Sequence, residues 1–273
     1  MKLLYFVAYD GTMFHGFVGD ESSVLSTILK AFRKVSGTVE DISYSSRTDP
    51  GVSALKNTIC LRLSRFVYPE EVNSLLPRYL RLWAVSEVPE DFSARSAIER
   101  YYIYFKPYEG EDIDSMRSAA NLFVGVHDFS NFMIIDEDQS PITEIYSIDV
   151  SKEGLFLVFK FRGKGFRNKM IRKIVWALEQ VGKGLLSIEE VRDLIELKVR
   201  RTVPSAPAEG LVLVDVKYSI DLSPTVSFRA LREFVEYLRE KLRMVLSLSA
   251  SYAYMLGKQS SCLLLQYLLN KPL

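Results

Sequence analysis

Residues 46–54 read Ser46-Arg47-Thr48-Asp49-Pro50-Gly51-Val52-Ser53-Ala54, and the rest of the chain is organised around them. A strand-like segment with Ile42 and Tyr44 precedes this stretch and breaks into Thr, Asp, Pro and Gly, the composition of a loop that fixes a polar side chain. Arg47 stands two residues before Asp49, so the carboxylate is expected to stay ionised beside a cation that also suits phosphate. Taken alone, Arg-Thr-Asp equally fits an ordinary Asx turn beside a surface arginine.

The composition predicts a folded globular protein without a strong overall charge. The chain has 273 residues, of which 48% are hydrophobic and 25% charged, enough for one large or two modest cores. Its formal net charge is +1, so any contact with nucleic acid must come from a local basic patch. Cys60 and Cys262 lack CxxC spacing and the histidines are His15 and His127, so we expect neither a metal site nor a structural disulfide.

The first residues carry no targeting signal. The apolar run Leu3–Val7 has the length of a strand, and no small-residue cleavage site follows it. We therefore expect a cytoplasmic protein that does not enter a membrane.

Hydrophobic patterning up to residue 88 predicts the order strand, helix, strand, strand, helix, strand. The first strand spans residues 3–9, and the first helix is capped by Ser22 or Ser23 and ended by Gly37. A strand over residues 58–63, a helix opening at Pro69 and a strand over residues 82–88 follow. This is the split βαβ order of ferredoxin-like and RNA-recognition folds.

The acidic, glycine-containing segment Glu109–Asp114 predicts a division of the chain into residues 1–108 and 109–218. In the second part, a helix is predicted before Leu122. Strands over residues 142–150 and 155–161 are predicted to form a hairpin, and the apolar faces of the second strand predict a central position. A last strand covers residues 211–218.

Residues 219–273 form a third part, which we interpret as an appended helical hairpin. Its first helix carries an apolar stripe, and its second apolar stretch, Cys262–Leu269, is too short to span a membrane. The hairpin could lie at a subunit interface or contact RNA, but packing on the core is expected. The stripe consists of Phe228, Leu231, Val235, Leu238, Leu242 and Val245.

A local basic patch does occur between residues 160 and 173. A Gly163-Lys164-Gly165 loop is predicted to open a helix whose apolar side packs while Lys169, Arg172, Lys173 and Trp176 lie on the free side. A solvated basic face would give the same spacing. As a phosphate-binding surface, it predicts four substrate-binding residues: Lys164, Arg167, Lys169 and Lys173.

An aromatic strand lies near the end of the first part, within residues 92–105. Alternation puts Tyr102 and Tyr104 on one face and Tyr101, Ile103 and Phe105 on the other. Without further information such a strand belongs to the core.

Six ordered blocks between residues 3 and 218 resemble the TruA family of tRNA pseudouridine synthases. Residues 46–54 resemble the motif GRTDAGVHA, with departures at Ser46, Pro50 and Ser53. Residues 9–18 resemble YDGTxYxGWQ, with Phe17 in place of Trp and Val18 in place of Gln. The remaining blocks are similar to FHARFSAxxRxYxY at residues 92–105, GxHDFxxF at 125–132, NGFLRHMVRNIVG at 165–175 and TAPAxGLxLxxVxY at 205–218. In the fourth block we expect His127 to have an architectural role.

The resemblance implies a fold and a set of site residues. It implies an α+β fold in which two ferredoxin-like or RRM-like halves share a continuous antiparallel sheet, with helices on the outer face and a central RNA-binding cleft. Asp49 is the implied catalytic carboxylate, Tyr102 the active-site tyrosine and Arg172 the partner of Asp49. Arg47 is expected to occupy the space left by the target base.

The resemblance also implies an activity. The enzyme would convert uridine to pseudouridine in the anticodon stem-loop of tRNA, at positions 38 to 40, as a homodimer whose subunits jointly bind one tRNA. Because the isomerisation involves no net redox change, no cofactor is expected. Asp49 would act as nucleophile or assist departure at the sugar, and Tyr102 would cover the base and assist proton removal at C5.

Two other functions are alternatives to this one. A noncatalytic tRNA-binding or folding factor could keep the cleft without turnover, but the intact set Arg47, Asp49, Tyr102 and Arg172 argues against it. A carbohydrate hydrolase would need a second carboxylate near Asp49, and the motif blocks contain none.

Overall fold

The computed structural model describes residues 1–135 and 140–255. Within these ranges the chain folds into ten strands and six α-helices. In the described part, no helix combines the length and the apolar character needed to cross a membrane.

The first part of the chain has the predicted order of strands and helices. β1 pairs antiparallel with β3 and β4, and β2 pairs with β3, which gives the order β4-β1-β3-β2. The first helix begins after Ser23, whose side chain accepts a hydrogen bond from Ser26 N at 3.3 Å. It ends before Gly37, whose φ of +77° suits glycine. The elements are β1 (Lys2–Tyr9), α1 (Val24–Ser36), β2 (Glu40–Tyr44), β3 (Ser53–Arg62), α2 (Pro69–Asn73) and β4 (Leu80–Glu87).

The second part contains two elements that the sequence analysis did not predict. One is the short edge strand β6, and the other is α5, although its Ser187–Glu190 capping box is a recognisable helix start. The predicted hairpin and its central second strand are confirmed, since β8 pairs with both β5 and β7. The elements are β5 (Glu99–Pro107), α3 (Ile113–Asn121), β6 (Gly125–Asp128), β7 (Ile142–Glu153), β8 (Phe156–Gly163), α4 (Met170–Gly182), α5 (Ile188–Ile195) and β9 (Leu211–Lys217).

β9 joins the two parts into one sheet. It pairs antiparallel with β5 and, at Ser53–Ala54, parallel with β3. The sheet has the order β10-β4-β1-β3-β9-β5-β8-β7-β6, with β2 beside β3, where β10 is the short strand Thr225–Val226. The fold is therefore α+β, with one large and mostly antiparallel sheet.

The two faces of the sheet bury different clusters. On the helix-covered face the Tyr5 ring of β1 packs edge-on against Phe32 of α1 at 4.8 Å between ring centroids. On the other face Leu4 and Phe6 form a smaller cluster with Cys60, partly covered by Trp83. Because β1 is buried on both faces, its sequence is a continuous apolar run.

The last helix, α6 (Phe228–Met255), forms as predicted, but it does not pack through the predicted stripe. Phe228 is 75% exposed and Leu242 48%, and Val235, Leu238 and Val245 are also exposed. The face that packs contains Ala230 and Phe234, which are buried, and Glu233, whose carboxylate pairs with Arg81 at 3.0 Å. The predicted packing of the stripe is therefore wrong, and the segment Cys262–Leu269 lies outside the described residues.

Candidate active site

The loop between β2 and β3 is fixed by a buried polar network. The Asn57 side chain is fully buried, and its amide donates to Ser46 O at 2.9 Å and to the Tyr9 hydroxyl at 3.2 Å. The Tyr9 hydroxyl also shares a hydrogen bond of 2.7 Å with Thr48 Oγ1. Since a buried polar group that loses its partner costs about 1–3 kcal/mol, this network holds the loop in one conformation.

Asp49 lies at the tip of this loop and forms an ion pair with Arg172 of α4. Arg172 Nη1 donates to Asp49 Oδ2 at 2.7 Å, and the two side chains are 14% and 15% exposed. Arg172 Nε donates to Ala206 O at 2.7 Å, and Ala206 N donates back to Arg172 O at 2.9 Å. The segment around Ala206 thus aims the guanidinium at the carboxylate.

Gly51 closes the loop with a conformation that favours glycine. Its φ is +88°, and a Cβ there would lie 3.0 Å from the Cβ of Ala208. The Asp49 loop therefore contacts the segment after Ala206 at Gly51 and Ala208, in addition to the ion pair with Arg172.

Tyr102 of β5 lies in the same pocket. The side chain is 6% exposed, and its ring packs edge-on against Phe166 at 5.4 Å between centroids. Burial raises the pKa of the Tyr102 phenol, and the Asp49 charge acts in the same direction, although a hydrogen bond with Ser46 opposes them. The phenol is consequently neutral at physiological pH.

The alternation predicted for β5 is confirmed, and the face with Tyr102 and Tyr104 is the more buried of the two. Tyr104 is 3% exposed and shares the main core with Tyr102, whereas Phe105 on the opposite face is 43% exposed.

Several basic side chains surround the ion pair. Arg47 is exposed beside Asp49, and Lys169 lies where the chain turns into α4, with a left-handed φ of 59°. Together with Tyr102 and Phe166 they line one small pocket, whose wall also includes Arg167, Met170 and Leu211. The structure therefore brings six of the predicted site residues to one pocket: Arg47, Asp49, Tyr102, Arg167, Lys169 and Arg172.

The structure corrects the predicted basic helix in two respects. The helix begins at Met170, so Arg167 and Lys169 precede it instead of lying on it, whereas Lys164 lies on the preceding loop as predicted. Lys164 is exposed, but Arg167 is engaged by backbone: its Nε donates to Ser140 O at 2.7 Å and its Nη2 to Ile142 O at 2.8 Å.

Lys173 does not lie on a free face. It is 4% exposed, its Nζ donates to Met133 O at 3.1 Å, and it also bonds to the Thr202 hydroxyl. Lys173 stands three residues after the buried Met170, so it borders the packed side of α4. Burial, aided by the nearby Lys169 charge, lowers the pKa of this amine. The position predicted for Lys173 is therefore wrong.

His127 takes part in a turn, in line with the architectural role expected for it. Its Nε2 is 3.0 Å from Val124 O, and its ring packs edge-on against buried Phe129. Asp128 Oδ1 accepts from Ser130 N at 2.9 Å.

One acidic cluster lies away from this site. The carboxylates of Glu109, Glu111 and Glu179 approach within 4.8 Å of one another. Lys106 pairs with all three, at 3.2 Å from Glu109 and 3.4 Å from Glu179, and also contacts Glu111 at 2.5 Å. Lysine thus supplies the positive charge that these carboxylates need.

Sequence reasoning missed the groups that support the site. Asn57 and Ala206 hold Asp49 and Arg172 in place, yet an asparagine in a strand and an alanine carbonyl give little signal. The polar Asn57-Thr58 pair directly before the apolar run Ile59–Leu61 is the sequence clue to a buried network.

Comparison with known proteins identifies a matching family model and relatives that share one name. A family model described as tRNA pseudouridine synthase matches residues 119–219. The chain is 43% identical to "tRNA pseudouridine synthase A" of Pyrobaculum neutrophilum over 89% of its own length and 92% of the relative's. The protein of the same name from Thermococcus sibiricus is 37% identical, over 89% and 95%.

A solved Cbf5-Nop10-Gar1 complex includes a chain that is similar over 65% of this protein and 45% of that chain. The sequence identity is 14% and the TM-score is 0.37. The similarity to these relatives extends over nearly the whole length of both chains. The chain belongs to the tRNA pseudouridine synthase A family.

Proposed function

We propose that this protein isomerises uridine to pseudouridine in the anticodon stem-loop of tRNA, at positions 38 to 40, with Asp49 as the catalytic carboxylate. The observation that carries the proposal is the Asp49–Arg172 ion pair, which lies in one pocket with Tyr102. A carboxylate held against a guanidinium in a semi-enclosed pocket is ready to act on a sugar carbon that gains positive charge.

The reaction breaks the C1′–N1 bond of uridine and forms a C1′–C5 bond. The proton on C5 is lost and N1 gains a proton, so the product is an isomer of the substrate. Asp49 acts as nucleophile or stabilises the sugar while the uracil turns. Arg172 orients Asp49, because its Nη1 donates to the carboxylate while its Nε is anchored on Ala206 O.

The role of Tyr102 is narrower than the family resemblance implied. Because burial keeps its phenol neutral, Tyr102 is suited to cover the base and donate a hydrogen bond, and less suited to remove the C5 proton. The Phe166 ring beside it provides a second apolar surface for a base that has left its stack.

RNA would approach through the exposed basic side chains at the rim of the pocket. Arg47 is exposed next to Asp49, where an inserted cation can replace the flipped base. Lys164 is exposed, and Lys169 lines the pocket. These three are the proposed phosphate and base contacts, since Lys173 is buried.

The proposal extends to the architecture. The strand orders β4-β1-β3-β2 and β9-β5-β8-β7 support two ferredoxin-like halves, with residues 219–273 appended. The proposed ranges are 1–108 and 109–218, except that β5 precedes residue 109 and pairs with β8 and β9 of the second half. We place the protein in the cytoplasm as a homodimer on one tRNA, as the family resemblance implies. No metal or other cofactor takes part in the proposed reaction.

The test is tritium release from unmodified tRNA labelled at C5 of uridine. The native protein is compared with Asp49→Asn, which removes the carboxylate, and with Asp41→Asn, which makes the same substitution at an exposed carboxylate paired with Lys2. We expect release by the native and Asp41→Asn proteins, none by Asp49→Asn, and RNA binding by all three.

Mapping the modified nucleotide tests the position. Pseudouridine confined to positions 38 to 40 supports the proposed target, whereas modification elsewhere in the tRNA would reject it. Binding without release across a broad panel of RNAs would instead favour a noncatalytic binding factor.

A further inference from the structure

We propose that Tyr237 and Lys241 of α6 are positioning residues for the isomerisation, because they hold the Asp10–Thr12 turn against the loop that carries Asp49. The inference rests on the proposed function of Asp49. It assigns a role in catalysis to a helix that lies outside the six motif blocks.

The first step is the contact between α6 and Asp10. The Asp10 side chain is 6% exposed, and its Oδ2 accepts from the Tyr237 hydroxyl at 2.6 Å. Lys241 Nζ bonds to the same oxygen and to Thr12 Oγ1, the latter at 2.5 Å. A nearly buried carboxylate therefore has its compensating charge on α6.

The second step is the turn that Asp10 organises. Its other oxygen, Oδ1, accepts from Thr12 N at 3.1 Å and from Thr12 Oγ1 at 2.7 Å. Burial alone would raise the pKa of Asp10, but the hydrogen bonds from Lys241, Tyr237 and Thr12 outweigh it and lower that pKa. The carboxylate is thus ionised, and both of its oxygens are engaged.

The third step is the contact between this turn and the Asp49 loop. Gly11 N donates to Ser53 Oγ at 3.0 Å, and Gly51 N donates to Gly11 O at 3.2 Å. A Cβ on Gly11 would lie only 2.0 Å from Val52 O, so the two backbones are in direct contact. A displacement of the turn must therefore move the loop.

A row of aromatic rings in tilted and edge-to-face contact provides a second connection between α6 and the loop. The Tyr237 ring lies 6.1 Å from Tyr79, Tyr79 lies 5.4 Å from Phe14, and Phe14 lies 6.4 Å from Tyr9, between centroids. Tyr9 ends the row at its hydrogen bond with Thr48, the residue before Asp49. Both connections lead to the same loop, and neither passes through the exposed basic side chains proposed to hold RNA.

The inference predicts that loss of these contacts slows the chemical step without weakening tRNA binding. The variants are Lys241→Met and Tyr237→Phe, with Lys241→Arg as the conservative replacement. The matched control is Glu240→Gln, the neighbouring position on α6, whose carboxylate pairs only with the exposed Arg78, at 3.1 Å. Each protein is assayed for single-turnover tritium release, tRNA affinity and melting temperature.

For Lys241→Met we expect a rate about 10- to 100-fold below that of the native protein, since small misplacements of catalytic groups cost that much. Lys241→Arg should recover most of the rate, Tyr237→Phe should lose less than Lys241→Met, and Glu240→Gln should match the native protein. The tRNA affinity should be unchanged in all four.

Some results would overturn the inference. These are a native rate in both Lys241→Met and Tyr237→Phe, with or without a lower melting temperature, and an equal loss of rate in Glu240→Gln. If Lys241→Met does not fold, Tyr237→Phe decides, because it removes a single hydroxyl. Failure of the native protein to release tritium would reject the proposed function and the inference with it, whereas equally active native and variant proteins reject only the inference.

Discussion

Asp49 and Arg172 stand 123 residues apart in the sequence, and their side chains meet at 2.7 Å. The arginine is held from behind by Ala206 O, so the pair has little freedom to separate.

Arg172→Lys keeps the charge but loses the planar fork that reaches Asp49 and Ala206 together. We expect single-turnover tritium release to slow by about 10- to 100-fold, because a hydrogen bond to a charged group contributes roughly 1.5–3 kcal/mol. The tRNA affinity should change little. A lysine variant as fast as the native protein would show that the fork is not needed.

Lys164 and Lys173 should behave differently towards tRNA. Lys164→Ala removes an exposed cation, so tRNA binding should weaken and the slope of log K against log salt concentration should fall by about 1. Lys173→Met should leave that slope unchanged and alter stability instead, because Lys173 is buried against Met133 O. Equal changes of slope in the two variants would contradict the observed burial.

Gly11→Ala should disable the enzyme, whereas Gly19→Ala should not. A Cβ at Gly11 would lie 2.0 Å from Val52 O, while at Gly19 the nearest atom is His15 O at 3.6 Å. We expect Gly11→Ala to lower the free energy of unfolding by about 1–3 kcal/mol, the usual cost of overpacking, and to abolish tritium release. Denaturant unfolding and the release assay measure the two effects, and similar behaviour of both variants would refute the contact.

The contribution of Asp10 to stability should depend on pH. Its folded pKa lies below the ordinary value of 3.8, so the contribution is fully present above about pH 4 and is lost as pH falls towards the folded pKa. The groups that face it are Lys241 and Tyr237 from α6 and Thr12 from its own turn.

We therefore expect the free energies of unfolding of native protein and Lys241→Met to differ most near pH 7 and to converge below pH 4. Urea unfolding across this pH range tests the expectation. A difference that grows as the pH falls would have the wrong sign for a depressed carboxyl pKa.

The local motifs could be predicted from the sequence because each depends on neighbouring residues. The turn at residues 49–51, the cap of α1 at Ser23 and the alternation of β5 follow from short-range patterns. The meeting of Asp49 with Arg172 followed only from the family resemblance, since no local pattern relates residues so distant in the chain.

The predictions that failed depended on distant contacts. Helical spacing could not reveal that Met133 and Thr202 cover Lys173, because they lie 40 and 29 residues away. In α6 the hydrogen bond from Lys241 to Asp10 joins residues that are 231 positions apart, and it lies on the packing face instead of on the more apolar stripe. A hydrophobic pattern contains no information about such a partner.

The position of β9 between β3 and β5 also determines how the protein is made. On a ribosome the first eight strands emerge before residues 211–217, so β5 lacks its neighbour on one edge, and β3 lacks its pairing at Ser53–Ala54, until translation reaches β9. Asp49 is synthesised early and Arg172 late, and the strand that joins their two parts comes after both. A nascent chain can therefore acquire a working site only near the end of its own synthesis.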